Sequence, residues 1–283
     1  MYPAQFAYER PTSVKDAIAL LAADPDAKII AGGHSLLPAM KLRLALPSTL
    51  VDIARIDELQ GISVKAGAAT IGSAATYYQI AKSADLQASH PVVTGTMHLV
   101  GDPHVRTKGT FGGALAHSDP AADMTAVFLV LNGSVTVQGP SGTRTIVADD
   151  LFVDLLTTSL EADEILTSIS LPAMNGGQAA YEKHRHPASG YAVVGVAVNL
   201  TVAGGSISAA RIAVTGATAK AERAAAAEAA LIGKPATADT IAAAAAVAAE
   251  GLEVNGDVYA SAEYRAHLIT VLAKRALTRA AGL

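Results

Sequence analysis

The amino-acid sequence predicts an α+β fold in at least two domains, and three observations carry that expectation. Through the first part of the chain, segments with apolar residues on a helical period alternate with short β-branched runs. Clusters of Gly, Pro and Ser separate those runs at hairpin spacing. After Pro172, the stretch Met174-Asn175-Gly176-Gly177 reads as a linker, beyond which strands give way to Ala-rich helices.

Taken in order, Ser13 followed by Asp16 resembles a capping box with Asp in place of Glu, and Val14, Ala17, Ile18 and Leu21 fall on one helical face. Lys28 to Ala31 forms a short strand that runs into Gly32-Gly33, and a second strand lies near Leu50 to Asp52. Ile62 to Lys65 and Thr70 to Gly72 pair across Ala66-Gly67, and Ser134 to Gln138 pairs with Thr143 to Val147 across Gly139-Pro140-Ser141-Gly142. Helices fall near 76–82, 91–99 and 120–131, and a strand at Ile165 to Leu171 ends at Pro172. Past the linker come strands at 180–185, 192–202 and 206–215, then helices at 224–231, 241–249 and 260–280. The last helix carries Tyr264, Leu268, Val271, Leu272 and Leu277 as a stripe suited to core packing.

Composition excludes several functions. With 51% hydrophobic residues the chain can bury a sizeable core, and its net charge of −4 comes without a Lys/Arg run, which argues against a nucleic-acid partner. Charges such as Glu222, Arg223, Glu228 and Lys234 interrupt the Ala-rich stretches, so none is expected to span a bilayer. The opening residues lack the basic start and apolar middle of a signal peptide, which leads to the expectation of a cytoplasmic protein. There is no cysteine, which rules out disulfides, thiolate catalysis and a Cys-ligated iron–sulfur cluster in this chain. Any redox group must be organic or sit in another subunit. The histidines His90, His98, His104, His117, His184 and His186 show no H-E-x-x-H and no regular spacing with acids, so no metal site is expected.

Two glycine-rich segments remain. Ile30-Ala31-Gly32-Gly33-His34-Ser35 follows a strand, where adjacent glycines let several N–H groups converge on one anion. The other reading is a strand-ending turn. Gly109-Thr110-Phe111-Gly112-Gly113 is the second, with a Thr hydroxyl able to donate to phosphate, and Asp123 follows it. Asp123 suits the start of a helix, or acceptance from ribose hydroxyls. Two Gly-Gly loops about eighty residues apart suit a ligand with two phosphates gripped from both sides. Neither G-x-G-x-x-G after a strand nor G-x-x-x-x-G-K-[ST] is present. Gly33-His34-Ser35-Leu36 imitates the nucleophile elbow of a serine hydrolase, but Leu37 stands where that turn needs a second Gly.

These segments resemble the flavoprotein (medium) subunit of the molybdenum hydroxylases, of the carbon-monoxide-dehydrogenase type. The matching pieces are Ala31-Gly32-Gly33-His34-Ser35 and Thr110-Phe111-Gly112-Gly113. Asp119-Pro120 with Asp123, Glu164-Ile165-Leu166, Tyr181-Glu182-Lys183, Ala262-Glu263-Tyr264-Arg265 and the opening Phe6 to Pro11 support them. The resemblance implies a PCMH/vanillyl-alcohol-oxidase-type FAD-binding fold over residues 1–174, in α+β subdomains of about 1–55 and 56–174, with a C-terminal α+β domain over 175–283. It implies FAD as this chain's cofactor, with Ala31, Gly32, Gly33, His34 and Ser35 at the pyrophosphate and Thr110, Phe111, Gly112 and Gly113 facing them. Asp123 would reach the ribose or ribityl hydroxyls, Leu166 would offer backbone near the flavin or adenine, Lys183 would sit near the flavin and Tyr191 beside the isoalloxazine. Without the resemblance, Lys183 reads equally as an exposed strand lysine. No catalytic residue is assigned.

The resemblance further implies a large subunit with the molybdenum cofactor and a small subunit with [2Fe–2S] clusters, in a dimer of heterotrimers. This chain would accept electrons from the clusters and pass them on. A self-contained FAD oxidase or dehydrogenase of the same fold is the alternative, a non-enzymatic nucleotide-binding module another. The sequence departs from the family at Gly190, where Asp is common, and at His184-Arg185-His186-Pro187.

Overall fold

The structure, a computed structural model, describes residues 2–283. Its first layer is a parallel sheet of three strands, with Thr49–Asp52 between Ala7–Glu9 and Lys28–Ile30. The helix Val14–Ala23 packs on it through Val14, Ala17, Ile18 and Leu21, the four apolar positions of the sequence pattern. Ser13 caps this helix by accepting from the Asp16 amide, and donates its own hydroxyl to the Asp16 carboxylate at 2.7 Å. That variant of the box satisfies one orphan amide instead of two, because the shorter Asp closes on the hydroxyl.

A five-stranded antiparallel sheet follows, ordered Ile62–Lys65, Ala68–Gly72, Ile165–Leu171, Ser134–Gly139, Gly142–Val147. Its hairpin turn at Ala66-Gly67 takes positive φ at both residues (50° and 81°), the twist-matched geometry for a two-residue connection. Helices cover this sheet, and Phe111, Phe128 and Phe152 stack edge-to-face in the core beneath them.

The last region is a sheet of Gln178–Arg185, Ala192–Ala203, Ser206–Thr215 and Glu222–Arg223, backed by helices Ala225–Leu231, Ala238–Ala246 and Ala262–Ala281. The Ala-rich composition serves close helix–helix and helix–sheet approach: Ala227, Ala244, Ala273 and Ala276 are all fully buried. Tyr264 leaves the expected stripe. It is exposed, with its ring edge-on to His184, while Leu268, Leu272 and Leu277 fill the core.

The other face of this sheet is also covered. Tyr181, Ala197, Ala213 and Ala221 join the core of the preceding region, against the buried helix Asp123–Val130. Every residue of that helix is buried, which is why its sequence shows no amphipathic stripe. Polar ties reinforce the contact: Arg211 donates to the Leu129 carbonyl at 3.0 Å, Asn199 to the Val130 carbonyl at 3.3 Å and Lys220 to the Phe152 carbonyl at 3.0 Å.

Candidate flavin site

The strand Lys28–Ile30 ends in the loop Ala31–Ser35, which enters the short helix Leu36–Lys41. Gly33 sits at φ +71°, a conformation that L side chains rarely adopt. Gly32 is glycine for space. A Cβ there would lie 2.4 Å from the Lys108 carbonyl oxygen and 2.7 Å from the Gly109 Cα. The two glycine segments therefore meet backbone to backbone. Among the described residues, no group accepts from the amides of Gly32, Gly33, His34 or Ser35. Half-exposed amides without partners in a tight loop are donors with the capacity to meet an anion. His34 is exposed, and its Nδ1 lies 2.9 Å from the Gly32 carbonyl, where it shapes the loop. No hydrogen bond joins it to Ser35 among the described residues, so a nucleophile–base pair is not formed.

The second segment has a different structure from the loop expected of it. Phe111–His117 is a helix, and Thr110 is its N-cap. The Thr110 Oγ1 accepts from the Gly113 amide at 3.0 Å, while the Phe111 and Gly112 amides donate to the carbonyls of Ala75 and Ser73. The orphan amides of this first turn are thus satisfied inside the chain. A Cβ on Gly112 would stand 2.5 Å from the Ser73 carbonyl oxygen, so this glycine lets the helix press onto the end of the strand Ala68–Gly72. What faces outward is Gly113, exposed and without a side chain, while Thr110 is buried beneath it. The Ser73 and Ser118 hydroxyls beside this helix are buried without a partner among the described residues, which leaves hydrogen-bonding capacity the chain does not meet. Free amides in one wall, a Cβ-free surface opposite and unmet hydroxyls nearby fit a diphosphate-bearing cofactor.

Asp123 is the first residue of its helix, as expected, but it is buried. Its carboxylate accepts from the Tyr181 hydroxyl at 2.5 Å and from the Lys183 ammonium at 2.8 Å. Burial pushes its carboxyl up from the usual range, against the pull of Lys183 and Tyr181, and the Tyr181 phenol is driven far up by burial and by the Asp123 charge. Lys183 is neither exposed nor free. Its side chain is 3% exposed and also donates to the Leu99 carbonyl at 3.1 Å. This trio ties the helix to the strand Gln178–Arg185 across the seam of the two regions.

Tyr191 and Ser35, far apart in sequence, come together. The Tyr191 phenol is raised by burial first and by the Asp119 carboxylate second, and the adjacent Ser35 hydroxyl pulls it back. Leu166 is buried in the core, paired with Val137 just before a bulge in the ladder. Tyr77 was not singled out in the sequence, yet it belongs here. Its ring packs on Gly109, and its phenol is raised by burial and then by the charges of Asp123, Tyr191 and Asp119. Its local sequence, a Thr76/Gln79 capping box, marks only a helix start.

The structure accounts for the departures at 184–190. Gly190 has φ +76° and closes the turn by donating to the His186 carbonyl at 2.9 Å, with the Arg185 guanidinium packed over it where a Cβ would be. The His186 ring packs tilted against Tyr259, with centroids 4.3 Å apart.

Known proteins match this architecture along its whole length. Residues 4–174 match the family described as the FAD binding domain in molybdopterin dehydrogenase, and residues 179–280 the CO dehydrogenase flavoprotein C-terminal domain. The chain is 38% identical to the carbon monoxide dehydrogenase medium chain of Hydrogenophaga pseudoflava, covering 99% of this chain and 98% of that one. It is 39% identical to the nicotine 6-hydroxylase medium subunit of Paenarthrobacter nicotinovorans, covering 96% of each. Among solved structures, carbon monoxide dehydrogenase from Hydrogenophaga pseudoflava superposes with a TM-score of 0.96 at 40% identity, covering 99% of this chain and 98% of that chain. Quinoline 2-oxidoreductase from Pseudomonas putida 86 gives 0.94 at 34% identity, covering 100% and 99%. With these family matches and relatives, and with a loop of unpartnered amides locked to a second glycine segment in a chain without cysteine, the protein belongs to the family of FAD-binding medium subunits of molybdenum hydroxylases of the carbon-monoxide-dehydrogenase type.

Proposed function

We propose that this subunit is an electron relay: it takes electrons from [2Fe–2S] clusters of a small partner subunit and passes them to an external acceptor, while a large subunit with the molybdenum cofactor oxidises the substrate. The observation that carries the reading is the loop of unpaired amides at Gly32–Ser35, fixed against Lys108-Gly109, in a chain that has no cysteine to hold a cluster of its own. FAD exchanges electrons singly or in pairs, the property required between one-electron clusters and a two-electron acceptor. In this reading the Ala31–Ser35 loop holds the diphosphate, with the bare face of Gly113 opposite. Thr110, Phe111 and Gly112 act indirectly by seating that helix. Asp123 and Lys183 form a buried ion pair that fixes the wall of the site, and Leu166 braces the sheet beneath it. Tyr191 shields the ring system. The complex is a cytoplasmic dimer of heterotrimers, and no helix among the described residues is long and apolar enough to cross a membrane.

The test is anaerobic stopped-flow on the FAD-loaded subunit alone and in the assembled complex. Bleaching of the flavin by an organic substrate is expected only in the complex. Bleaching of the lone subunit at a catalytic rate would make it a self-contained oxidase or dehydrogenase.

A further inference from the structure

Lys108 stands where the two glycine segments touch, and the function proposed above leaves its side chain unused. A Cβ on Gly32 would lie 2.4 Å from the Lys108 carbonyl oxygen and 2.9 Å from its carbonyl carbon, so the Lys108 backbone abuts the loop Ala31–Ser35. That backbone is held in place. The Lys108 amide donates to the Val105 carbonyl at 3.2 Å, and the Gly109 amide donates to the same oxygen at 2.7 Å. The Gly109 carbonyl in turn accepts from the Tyr77 amide at 2.9 Å. The side chain that leaves this fixed base is exposed and forms no ion pair among the described residues.

A diphosphate at the loop calls for a cation that the rest of the molecule does not supply. The amides of Gly32 to Ser35 can meet its oxygens with dipoles but bring no net charge. The chain itself is net −4, and Asp119, on the Ser35 side of the site, has no cationic partner among the described residues. The other cations are committed or distant. Lys183 pairs with Asp123, Arg106 donates to the carbonyls of Val100 and Gly101, and Arg185 donates to that of Gly101. Lys41 ends the helix Leu36–Lys41, roughly 9 Å along its axis from Ser35, with Arg43 beyond it. Arg10 and Arg55 act on Tyr8, whose strand is at the opposite edge of the sheet from the strand that carries the loop.

We propose that Lys108 is the counter-charge of the cofactor's diphosphate. Its flexible stem starts beside Gly32 and is free to bring the ammonium to the phosphate oxygens that the loop amides hold. A lysine suits the task, because the amides supply the directional contacts and the ammonium acts as a point charge. Part of the grip on the cofactor is then screened by salt, while the part made by the amides is not. The proposal rests on the reading that Ala31–Ser35 hold the diphosphate, and names the residue that makes that hold depend on charge.

The experiment uses the full chain in its assembled complex, stripped of flavin, and follows the change in flavin fluorescence as FAD is added at low and at high salt. Lys108→Met removes the charge and keeps the length, Lys108→Arg keeps the charge, and Lys41→Met removes an equal charge away from the loop. At low salt Lys108→Met is expected to raise the FAD dissociation constant about five-fold, with Lys108→Arg and Lys41→Met near wild type. The gap between wild type and Lys108→Met should close at high salt. ADP, which has the diphosphate without the flavin, should weaken as a competitor by the same factor. Melting of the flavin-free proteins should coincide, because the position is exposed. Unchanged FAD affinity in Lys108→Met, an equal loss in Lys41→Met, or a loss that persists at high salt would overturn the counter-charge and leave the loop reading intact. Failure of the wild-type complex to take up FAD would sink the loop reading and this proposal with it.

Discussion

The two glycine-rich segments share a composition and differ in physics. In Gly32–Ser35 the amides have no partner among the described residues, and Gly33 needs its positive φ. In Thr110–Gly113 the amides are satisfied by Thr110, Ser73 and Ala75, and Gly112 is small because a strand end presses on it. One segment is open to a ligand, and the other is a helix start that builds the surface facing it. Adjacent glycines therefore do not define a phosphate loop; the fate of their N–H groups does.

Four substitutions would break or sharpen that contrast. Gly112→Val drives a branched side chain into the Ser73 backbone, and a loss of more than about 4 kcal/mol, the diagnostic tail for point mutants, is expected in urea unfolding. A stable, flavin-free Gly112→Val protein would return the second segment to the status of a phosphate loop. Lys183→Met leaves the Asp123 carboxylate buried and unpaired, a change worth about 3–5 kcal/mol. Its sign with pH is fixed: burial already raises the Asp123 carboxyl and loss of the Lys183 charge raises it further, so the deficit grows as pH rises between the wild-type and variant folded-state values. A deficit that shrank with rising pH would show that Asp123 is charged and solvated.

Gly32→Val acts on the ligand side of the comparison. Its Cβ meets the Lys108 carbonyl, and the half-exposed loop can move aside at the expense of its amide array. FAD affinity should fall about a hundred-fold, near 2.7 kcal/mol, with a far-UV spectrum like wild type. Equal flavin retention would remove the loop from the site. The smallest effect is expected for Thr110→Val, which deletes one helix cap at about 1 kcal/mol, with Thr110→Ser restoring it. A loss confined to FAD affinity, with melting unchanged, would assign the hydroxyl to the ligand instead of the helix.

Much of the architecture was legible in the residues. The stripe Val14, Ala17, Ile18, Leu21 and the turn pairs Ala66-Gly67 and Pro140-Ser141 locate their helix and hairpins because local periodicity and backbone preference decide them. The helix at Phe111–His117 was not, because glycines read as loop until the strand end that buries Gly112 is known. Nor was Tyr77, whose neighbours Asp119, Asp123 and Tyr191 lie 42 residues or more away in sequence. Lys183 and Asp123 were singled out, but their pairing with each other is a tertiary fact that no spacing encodes.

The seam between the regions has a bearing on how the chain is made. Four residues that lie past Gly177, from Tyr181 to Ala221, complete the core of the preceding region. A ribosome delivers the flavin loops first and that lid last, so the nascent N-terminal part waits with an open apolar face until Ala221 has cleared the exit tunnel. Capture of the cofactor is then expected late in synthesis or after it. A chain cut at Gly177 should be a chaperone client, not a smaller flavoprotein.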